Sequence, residues 1–484
     1  MAAAAAAARA FLRSRCRSPI SRAITPVVLH KQPVSPSQQF SFFGFSSAVR
    51  GGIPTAERED DDHQSGNNII TVDRSGLNLP HAVEQQGHDH SRMGEQSALA
   101  KHISALIRFR GGPISIAEFM GEVLTNPNAG FYMNRDVFGS RGDFVTSPDS
   151  SQMFGEMLGI WSVLLWEQLG KPRELALVEL GPGRGTLMAD LIRSTAKFTE
   201  FSSAVRIHFV ECSPTLRTMQ EKALGFASMP KLWHMELQEV PRGVPCVIIA
   251  HEFFDALPIH QFQKTSRGWG EKLVDVAENH EPGFRFVLSP RPTPASTLYL
   301  EQRLLWATTE EKAQLEHVEV CPQAWMLAQD IARRIAEDGG GALIIDYGEA
   351  KVSTGSLQAI RKHQFVNVLE DPGSADLSAY VDFSAIRSAV KNVGGASVYG
   401  PVTQSKFLGS LGINMRLERL LNAATSEEQQ EALQLGYWIL VGDGPPQWLE
   451  DDEEEGKKAP MGMGNRYKVL TIVQSGLAEP VGFF

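Results

Sequence analysis

The stretch Glu179-Leu180-Gly181-Pro182-Gly183-Arg184-Gly185-Thr186 decides the fold of this chain. An apolar run at 176–180 precedes it and predicts a buried strand, and a helix is predicted to follow over 186–193. Glycine has no Cβ, so a loop with three glycines lets the backbone approach a ligand closely and adopt positive φ angles. The pattern therefore predicts a ligand site at the carboxyl end of a strand.

The spacing of the glycines separates this loop from a dinucleotide site. A GxGxxG fingerprint would place its third glycine at 186, where this chain has threonine. Glu179 stands directly before the loop and would repel a pyrophosphate, whereas S-adenosylmethionine carries an ammonium and a sulfonium. The next predicted strand, 206–210, ends at an acid suited to ribose hydroxyls. We therefore predict S-adenosylmethionine as the cofactor, bound by Glu179, Gly181, Gly183, Gly185 and Glu211. For a glycine loop alone, a simple tight turn is the alternative.

Strands and helices alternate along the chain. Short buried strands at 176–180, 206–210, 246–250 and 342–346 alternate with helical segments, which predicts an α/β fold with a mostly parallel sheet and helices on both faces. This is the Rossmann-like architecture of class I S-adenosylmethionine-dependent methyltransferases. A helical preface, opened in part by a capping box at 115–118, precedes the sheet.

Two further features modify that architecture. An antiparallel meander is predicted at 261–263, 272–276 and 284–288, within an insertion at about 258–320 that lies on the substrate side. The segments 396–398 and 467–470 are predicted to close the sheet as a hairpin-like edge.

The amino-terminal 56 residues contain no Asp or Glu but seven Lys or Arg residues, which is typical of an organelle transit peptide. Arg9, Arg13 and Arg17 fall on one face of a possible helix and favour mitochondrial import. A disordered tail and chloroplast import remain alternatives. Residues 57–98 predict a disordered, acidic and polar linker, and residues 99–484 the methyltransferase domain.

Charge and composition exclude several classes of partner. Without the leader, 39 basic residues face 56 acidic ones, a net charge of −17. Such a body is a poor general binder of nucleic acid and is better suited to a cationic substrate. No run approaches the ~20 apolar residues of a membrane span. The four cysteines show no metal-ligand spacing, so no metal is predicted. The acidic block 450–455 is interpreted as a solvated surface loop.

The sequence resembles the MidA-like methyltransferases over about 99–475. The motifs that carry the resemblance, beside the glycine loop, are PISIAEFM at 113–120, GDFVTSP at 142–148, SQMFGE at 151–156, AHEFFDALP at 250–258, HVEVCP at 317–322 and DYG at 346–348. The family comprises mitochondrial complex I assembly factors that methylate protein arginine. The resemblance implies symmetric dimethylation of an arginine on a matrix-arm subunit of complex I, in the mitochondrial matrix.

The resemblance also implies contacts that spacing alone does not give. It implies that the early loop, with Thr146, Pro148 and Gln152, folds over the cofactor. An Asp-Leu pair is expected after the third strand, beside the adenine, but this chain has Glu236 and Leu237 there. The acid is kept, so Glu236 is predicted as the contact.

In a methyltransferase of this architecture, the loop after the fourth strand, 251–258, lies beside the reactive methyl. Arginine is a poor nucleophile because its charge is delocalised, and carboxylates can hold its guanidinium in a bidentate fork. We predict Glu252 and Asp255 in that role, and His251 as a pocket wall or proton acceptor. Tyr347 is predicted to wall the substrate pocket. The alternatives are a turn cap for Asp255, a local arginine partner for Glu252, and simple core positions for His251 and Tyr347.

Two other functions remain open at this point. One is methylation of a small cationic metabolite, although a small substrate does not need the surface that the insertion adds. The other is an assembly chaperone that binds the cofactor without turnover. The oligomeric state, the leader cleavage site and the target arginine are not predicted.

Overall fold

The computed structural model describes residues 97–133, 146–277, 283–446 and 461–484. The predicted transit peptide (1–56), nearly all of the predicted linker (57–98) and the acidic block 450–455 lie outside the described residues, as do residues 142–145 of the GDFVTSP motif. Within the described ranges, no helix is both long enough and apolar enough to cross a membrane.

The strands of the described residues are, in chain order, β1 (Ile114–Ser115), β2 (Leu175–Leu180), β3 (Val205–Val210), β4 (Lys231–His234), β5 (Cys246–His251), β6 (His260–Thr265), β7 (Gly268–Val276), β8 (Phe284–Leu288), β9 (His317–Val320), β10 (Gly340–Glu349), β11 (Gln358–Arg361), β12 (Gln364–Val366), β13 (Asp376–Ser378), β14 (Val381–Asp382), β15 (Ala396–Thr403), β16 (Asp443–Gly444), β17 (Gly462–Met463) and β18 (Tyr467–Gln474).

The α-helices of the same residues are α1 (Ala98–Arg110), α2 (Ile116–Thr125), α3 (Ser147–Ser150), α4 (Gln152–Gln168), α5 (Thr186–Thr195), α6 (Thr199–Ala204), α7 (Pro214–Ala223), α8 (Glu301–Trp306), α9 (Thr309–Gln314), α10 (Pro322–Asp338), α11 (Phe383–Val390), α12 (Gln404–Ser410), α13 (Ile413–Ala423) and α14 (Glu427–Val441). A 3-10 turn at Leu237–Glu239 and a π turn at Ser296–Leu300 complete the set.

The central sheet has the strand order β4-β3-β2-β5-β10-β18-β15, with β14 added at the end of β10. The pairs from β4 to β10 are parallel, and β18 is antiparallel to both of its neighbours. The predicted α/β class is therefore confirmed. All five parallel strands point their carboxyl ends to one edge, where the glycine loop and the 251–258 segment meet.

Alternate residues of the parallel strands enter two hydrophobic cores, one on each face of the sheet. In β2, Val178 and Leu180 belong to one core, while Leu175 and Leu177 belong to the other. Helices α10 and α11 cover the first face, and α4 and α5 cover the second. Burial of one large apolar side chain stabilises the folded state by about 1.5–3 kcal/mol. A strand that is buried on both faces therefore has apolar residues at consecutive positions.

The predicted meander is an antiparallel sheet, in which β7 pairs with β6 and β8, and β6 pairs with β9. The preface is not wholly helical, because β1 joins this sheet through Ile114 opposite Val274. The predicted capping box is present in α2, where the Ser115 hydroxyl accepts from the Glu118 amide and the Glu118 side chain accepts from the Ser115 amide. Strand β1 thereby ties the preface to the meander.

The closing edge of the sheet differs from a simple hairpin. Strands β15 and β18 pair antiparallel as predicted, but the described chain between them includes α12, α13 and α14.

A small sheet of order β12-β11-β13 was also not predicted. Its strands have three or four residues, too few for their apolar periodicity to be recognised.

Candidate active site

The glycine loop turns sharply between β2 and α5. Gly181, Gly183 and Gly185 have φ angles of +67°, +54° and +84°, in the left-handed region that side chains with a Cβ resist. A Cβ on Gly185 would also lie 3.2 Å from the Cα of Gln220. The Gly181 amide donates to the Val210 carbonyl at 3.2 Å, which ties the loop to the end of β3.

A cleft lies against this loop. Its other walls are Thr146, Pro148 and Asp149 from the start of α3, and His251 and Glu252 from the end of β5. The cleft thus brings together predicted residues from three distant parts of the chain.

Glu179 forms part of the cleft wall with a side chain that is only 3% exposed. Its Oε2 atom has no hydrogen-bond partner. Burial, with a smaller contribution from the nearby Glu211 charge, raises the pKa of Glu179 to about 8. A buried carboxylate with an unused oxygen fits a cationic group, because a bound cation would stabilise its ionised form. Glu179 therefore fits the ammonium group of S-adenosylmethionine.

Glu211 ends β3, and both of its carboxylate oxygens already accept hydrogen bonds. Oε1 accepts from the Ser213 amide at 2.8 Å, and Oε2 from Gln220 Nε2 at 3.0 Å. The same Gln220 nitrogen donates to the Gly183 carbonyl at 2.8 Å. Burial still raises the pKa of Glu211 to about 7. Sequence reasoning missed Gln220, which links the glycine loop to Glu211.

Four predicted cofactor residues are not among those that line the cleft, namely Gly185, Glu211, Glu236 and Gln152. Glu236 follows β4 by two residues and precedes the 3-10 turn at Leu237–Glu239. Gln152 begins α4, and its Nε2 donates to Glu156 Oε1 at 3.3 Å. The contacts of all four residues with the cofactor therefore remain predictions.

His251 is the last residue of β5 and is buried against the ring of Phe154, with centroids 4.8 Å apart. Burial lowers its pKa to about 3, so the imidazole is neutral at physiological pH. Its Nε2 atom has no hydrogen-bond partner and lies 3.6 Å from Glu252 Oε1. Of its two predicted roles, the structure supports the pocket wall, because a base with this pKa is weak.

Glu252 lies at the turn after β5 with a φ of +47°. Its side chain is buried, and its Oε1 accepts from the Tyr467 hydroxyl at 3.0 Å. Burial, together with the Asp255 charge, raises the pKa of Glu252 to about 8. The partner that the structure gives Glu252 is thus a tyrosine instead of the local arginine considered from sequence.

Asp255 is held between the ends of β5 and β10. Its Oδ2 accepts from the Tyr347 hydroxyl at 2.5 Å, while Oδ1 has no hydrogen-bond partner. Asp346 positions this segment, because its Oδ2 accepts from the amides of Phe254 and Asp255 at 3.0 and 3.2 Å. Burial raises the pKa of both Asp255 and Asp346, so neither carboxyl is ionised as readily as in water.

Three tyrosines therefore each bond a buried carboxylate around this centre. Tyr467 bonds Glu252, Tyr347 bonds Asp255, and Tyr132 bonds Asp376. Tyr132 and Tyr467 were missed from sequence because they lie at opposite ends of the described chain. The pairing of β10 with β18, which sets Tyr347 opposite Tyr467, is the feature that brings the last strand to the site.

A family model described as S-adenosyl-L-methionine-dependent methyltransferase matches residues 157–402, more than half of the chain. The chain belongs to this methyltransferase family. The predicted cofactor is S-adenosylmethionine, as the family description states. Among the residues that the structure describes in this methyltransferase, no group of three or more His, Cys, Asp or Glu is arranged to hold a metal ion.

Relatives of the methyltransferase are similar over most of their length. It is 40% identical to the mitochondrial protein arginine methyltransferase NDUFAF7 of Xenopus tropicalis, over 79% of this chain and 87% of that protein. Its identity with the Homo sapiens protein of the same name is 39%, over 68% and 77% of the two chains. The homolog from Drosophila melanogaster is 40% identical over 79% and 86%. The resemblance to MidA-like methyltransferases is confirmed.

The fold of the methyltransferase is also found in a solved structure. A Burkholderia thailandensis protein bound to S-adenosyl-homocysteine superposes with a TM-score of 0.64 at 23% identity, covering 80% of this chain and 94% of that chain. At this identity the likeness concerns the fold alone, which is the predicted class I methyltransferase fold.

Proposed function

We propose that this methyltransferase transfers methyl groups to an arginine side chain of a mitochondrial protein. The observation that carries the proposal is the pair of buried acids, Glu252 and Asp255, on the short segment that borders the cofactor cleft. Asp255 Oδ1 lacks a hydrogen-bond partner. Relatives at about 40% identity are named mitochondrial protein arginine methyltransferases, which supports the same activity here.

A guanidinium presents N–H donors in a planar fork and stays protonated at any physiological pH. Ionised Glu252 and Asp255 would accept from this fork and concentrate its positive charge on their side. When bound, S-adenosylmethionine supplies an electrophilic methyl carbon on a positively charged sulfur. Alignment of the target nitrogen by the two acids is then the main contribution of the protein to the rate.

Each transfer would form one N–C bond as the methyl–sulfur bond of the cofactor breaks, release S-adenosylhomocysteine as the leaving group, and remove one N–H proton from the guanidinium. Glu252 is suited to accept that proton, because a pKa of about 8 lies near the working pH. His251 is not, since burial lowers its pKa to about 3. In this scheme Asp255 orients the guanidinium and Glu252 both orients it and accepts the proton.

The raised pKa values also favour cations over neutral side chains. In the ligand-free site, burial and mutual repulsion keep the acids of this centre partly protonated. A cationic substrate reverses that balance, whereas a neutral amide would leave the carboxyls protonated. The net charge of −17 on residues 57–484 (39 basic against 56 acidic) favours approach of basic proteins in the same way.

The finer assignment follows the motifs of the MidA-like family. We propose a matrix-arm subunit of complex I as the substrate, symmetric dimethylation as the product, and the mitochondrial matrix as the compartment. The acid-free leader with seven basic residues supports import into mitochondria. Methylation of a small cationic metabolite is a weaker alternative, because the meander adds wall and surface beside the site.

The test uses labelled S-adenosylmethionine, mitochondrial extract and the full chain. The wild-type protein should transfer label to arginine side chains of proteins in the extract. In cells that lack this protein, mass spectrometry should show that complex I matrix-arm subunits have lost dimethylarginine. Asp255→Asn should reduce labelling at least about 100-fold while cofactor affinity stays within a factor of three, because a neutral amide cannot hold the charge.

Two control variants separate the possible explanations. Glu349→Gln neutralises an exposed acid three residues beyond Asp346 on β10 and should label normally. Gly183→Val should abolish cofactor binding and labelling together. Label found only in low-mass material would favour the metabolite alternative, and normal complex I assembly with Gly183→Val would favour a chaperone without turnover.

A further inference from the structure

A second cavity lies beside residues 251–259, here called the acid segment because it carries Glu252 and Asp255. Phe254 and Ile259 of that segment form one wall. The end of β9, the first turn of α10 and the approach to β14 form the others, with lining residues that include Val320, Cys321, Ala324, Trp325 and Tyr380. The cofactor cleft is walled by His251 and Glu252 of the same segment, so one stretch of chain borders both spaces.

Two acids line the second cavity, but their oxygens are already used. Glu319 accepts from Gln261 Nε2, from the Ser356 amide and hydroxyl, and from the Leu357 amide, at 2.5–3.2 Å.

Asp382 is bonded in the same way. It accepts from Arg303 Nε at 2.6 Å, from the Ser384 hydroxyl at 2.6 Å and from the Ala385 amide at 2.9 Å. The cavity therefore presents an apolar lining without a carboxylate ready to bind a cation. This contrasts with Glu252 and Asp255, here called the acid centre, where Asp255 Oδ1 has no hydrogen-bond partner.

The cavity is joined to the acid centre by aromatic rings. Tyr380 is 39% exposed and can therefore be reached from solvent. It packs edge to face on Tyr347, with ring centroids 5.6 Å apart. The Tyr347 hydroxyl in turn bonds Asp255. The Ala379 amide, next in the lining, donates to the Asp255 carbonyl at 2.9 Å. A substrate whose arginine reaches Asp255 would pass this cavity within a few residues of its own chain.

We propose that the second cavity binds an apolar side chain of the substrate protein, from a residue close in sequence to the methylated arginine. This inference rests on the proposed arginine methylation and deepens it. The two neighbouring spaces then select a bipartite motif, a cation at the acid centre and an apolar group in the cavity. Specificity would come from the protein segment as a whole instead of from the guanidinium alone.

The experiment compares labelled arginine sites produced in mitochondrial extract by wild type and by Ala324→Met, which places a larger side chain in the cavity. Arg333→Met is the matched control, because it adds the same side chain to the exposed face of α10. Synthetic peptides of each labelled site are then assayed with the apolar residue intact or replaced by serine. Affinity for S-adenosylmethionine and thermal unfolding are measured for every variant.

We expect labelled sites to share an apolar residue at a constant offset, and both Ala324→Met and the serine replacement to lower kcat/KM about tenfold. Equal rates for intact and serine peptides, or labelled sites without an apolar neighbour, would overturn the inference. If Ala324→Met misfolds and loses cofactor binding, the rates of the wild-type protein on intact and serine-substituted peptides still test the inference. An absence of arginine labelling by wild type would instead refute the proposed function.

Discussion

Glu252 keeps a carboxylate at a backbone position that suits glycine. Its φ of +47° is in the left-handed region, where a side chain with a Cβ is strained by about 1–3 kcal/mol. The Glu252 amide donates to the Ile345 carbonyl at 2.9 Å, and the side chain accepts from Tyr467. These two bonds hold the turn that brings the acid into the cleft wall, so the strain is offset by contacts on two neighbouring strands.

The stability of the ligand-free protein should decrease as pH rises from about 5 to about 8. Burial raises the pKa of both Glu179 and Glu252 to about 8, above their ordinary value near 4.5. The folded state therefore binds protons that the unfolded state releases, and the free energy of unfolding falls through this window. Thermal unfolding at pH 6 and pH 8 measures the effect.

Bound cofactor should raise the Tm of the protein more at pH 8 than at pH 6, because its cationic group interacts favourably with the ionised carboxylates. Glu179→Gln removes one of the groups and should flatten the pH profile. A Tm that is constant or rises between pH 6 and pH 8 would show that these acids are ionised in the ligand-free protein.

Tyr347→Phe should weaken the interaction with the protein substrate and leave cofactor binding nearly unchanged. The change removes the hydroxyl that bonds Asp255 Oδ2, and a lost hydrogen bond to a charged group costs about 1.5–3 kcal/mol. The KM for the protein substrate should rise about tenfold or more, while the Kd for S-adenosylmethionine changes less than threefold. Tyr437→Phe is the control, since its hydroxyl bonds Asn414 on the surface. A parallel loss of cofactor affinity would contradict the assignment of Asp255 to the substrate.

At the scale of elements, the glycine loop and the first turn of α5 act as one unit. Gly185 precedes α5 with φ +84°, and Gln220 of α7 lies against it. Gln220 also bonds Glu211 and the Gly183 carbonyl. Helix α7 therefore supports the loop from outside the cleft and sets its distance from the end of β3.

Gly185→Ala should weaken cofactor binding beyond its effect on stability. Gly243 provides the control, because its φ of +87° is equally left-handed but a Cβ there would meet nothing within 4 Å. Both variants should lose about 1 kcal/mol of stability from backbone strain. We expect only Gly185→Ala to raise the Kd for S-adenosylmethionine at least fivefold, measured by calorimetry. Equal effects of the two variants on the Kd would argue against a supporting contact from Gln220.

Four of the five parallel strands (β2, β3, β5 and β10) were predictable because each is largely buried and forms a short apolar run; β2, for example, was predicted at 176–180 and is observed at Leu175–Leu180. Strand β4 is only half-buried and carries no such run. The cleft acids Glu179 and Glu252 were predictable because they lie at the carboxyl ends of such strands, whereas Asp149, from α3, was not predicted. Gln220 and Tyr467 were not, since Gln220 lies on an ordinary amphipathic helix and Tyr467 begins a strand whose sequence does not show where in the sheet it pairs. Both reach the site through tertiary contacts alone. Strand β1, with two residues, carries no periodicity to recognise.

At the scale of the whole molecule, charge is divided unequally along the chain. The leader carries seven positive charges and no acid, while residues 57–484 carry 39 basic and 56 acidic residues. In the proposed function, the acidic part suits basic substrates, whereas the leader, as the predicted transit peptide, would be attracted to a negatively charged interior. The proposal thus gives the two parts opposite electrostatic tasks, one in import and one in catalysis.

Residues 1–56 fused to a fluorescent protein should direct it to mitochondria. Replacement of Arg9, Arg13 and Arg17 by alanine should abolish import, because it removes three of the seven positive charges and one basic face. Replacement of serines in the same segment is the control and should leave import intact. Fluorescence microscopy measures the outcome. Delivery of the fusion to chloroplasts would contradict the mitochondrial assignment.

The bond between Glu252 and Tyr467 has a consequence for biosynthesis. Tyr467 begins β18, which lies inside the sheet between β10 and β15 although it comes last in the chain. A ribosome that has made the glycine loop and the acid segment has not yet supplied the tyrosine, so a nascent chain holds an incomplete centre. A frameshift or premature stop shortly before residue 467 would leave every predicted cofactor residue encoded, and we expect it to yield an inactive protein that lacks an interior strand of its central sheet.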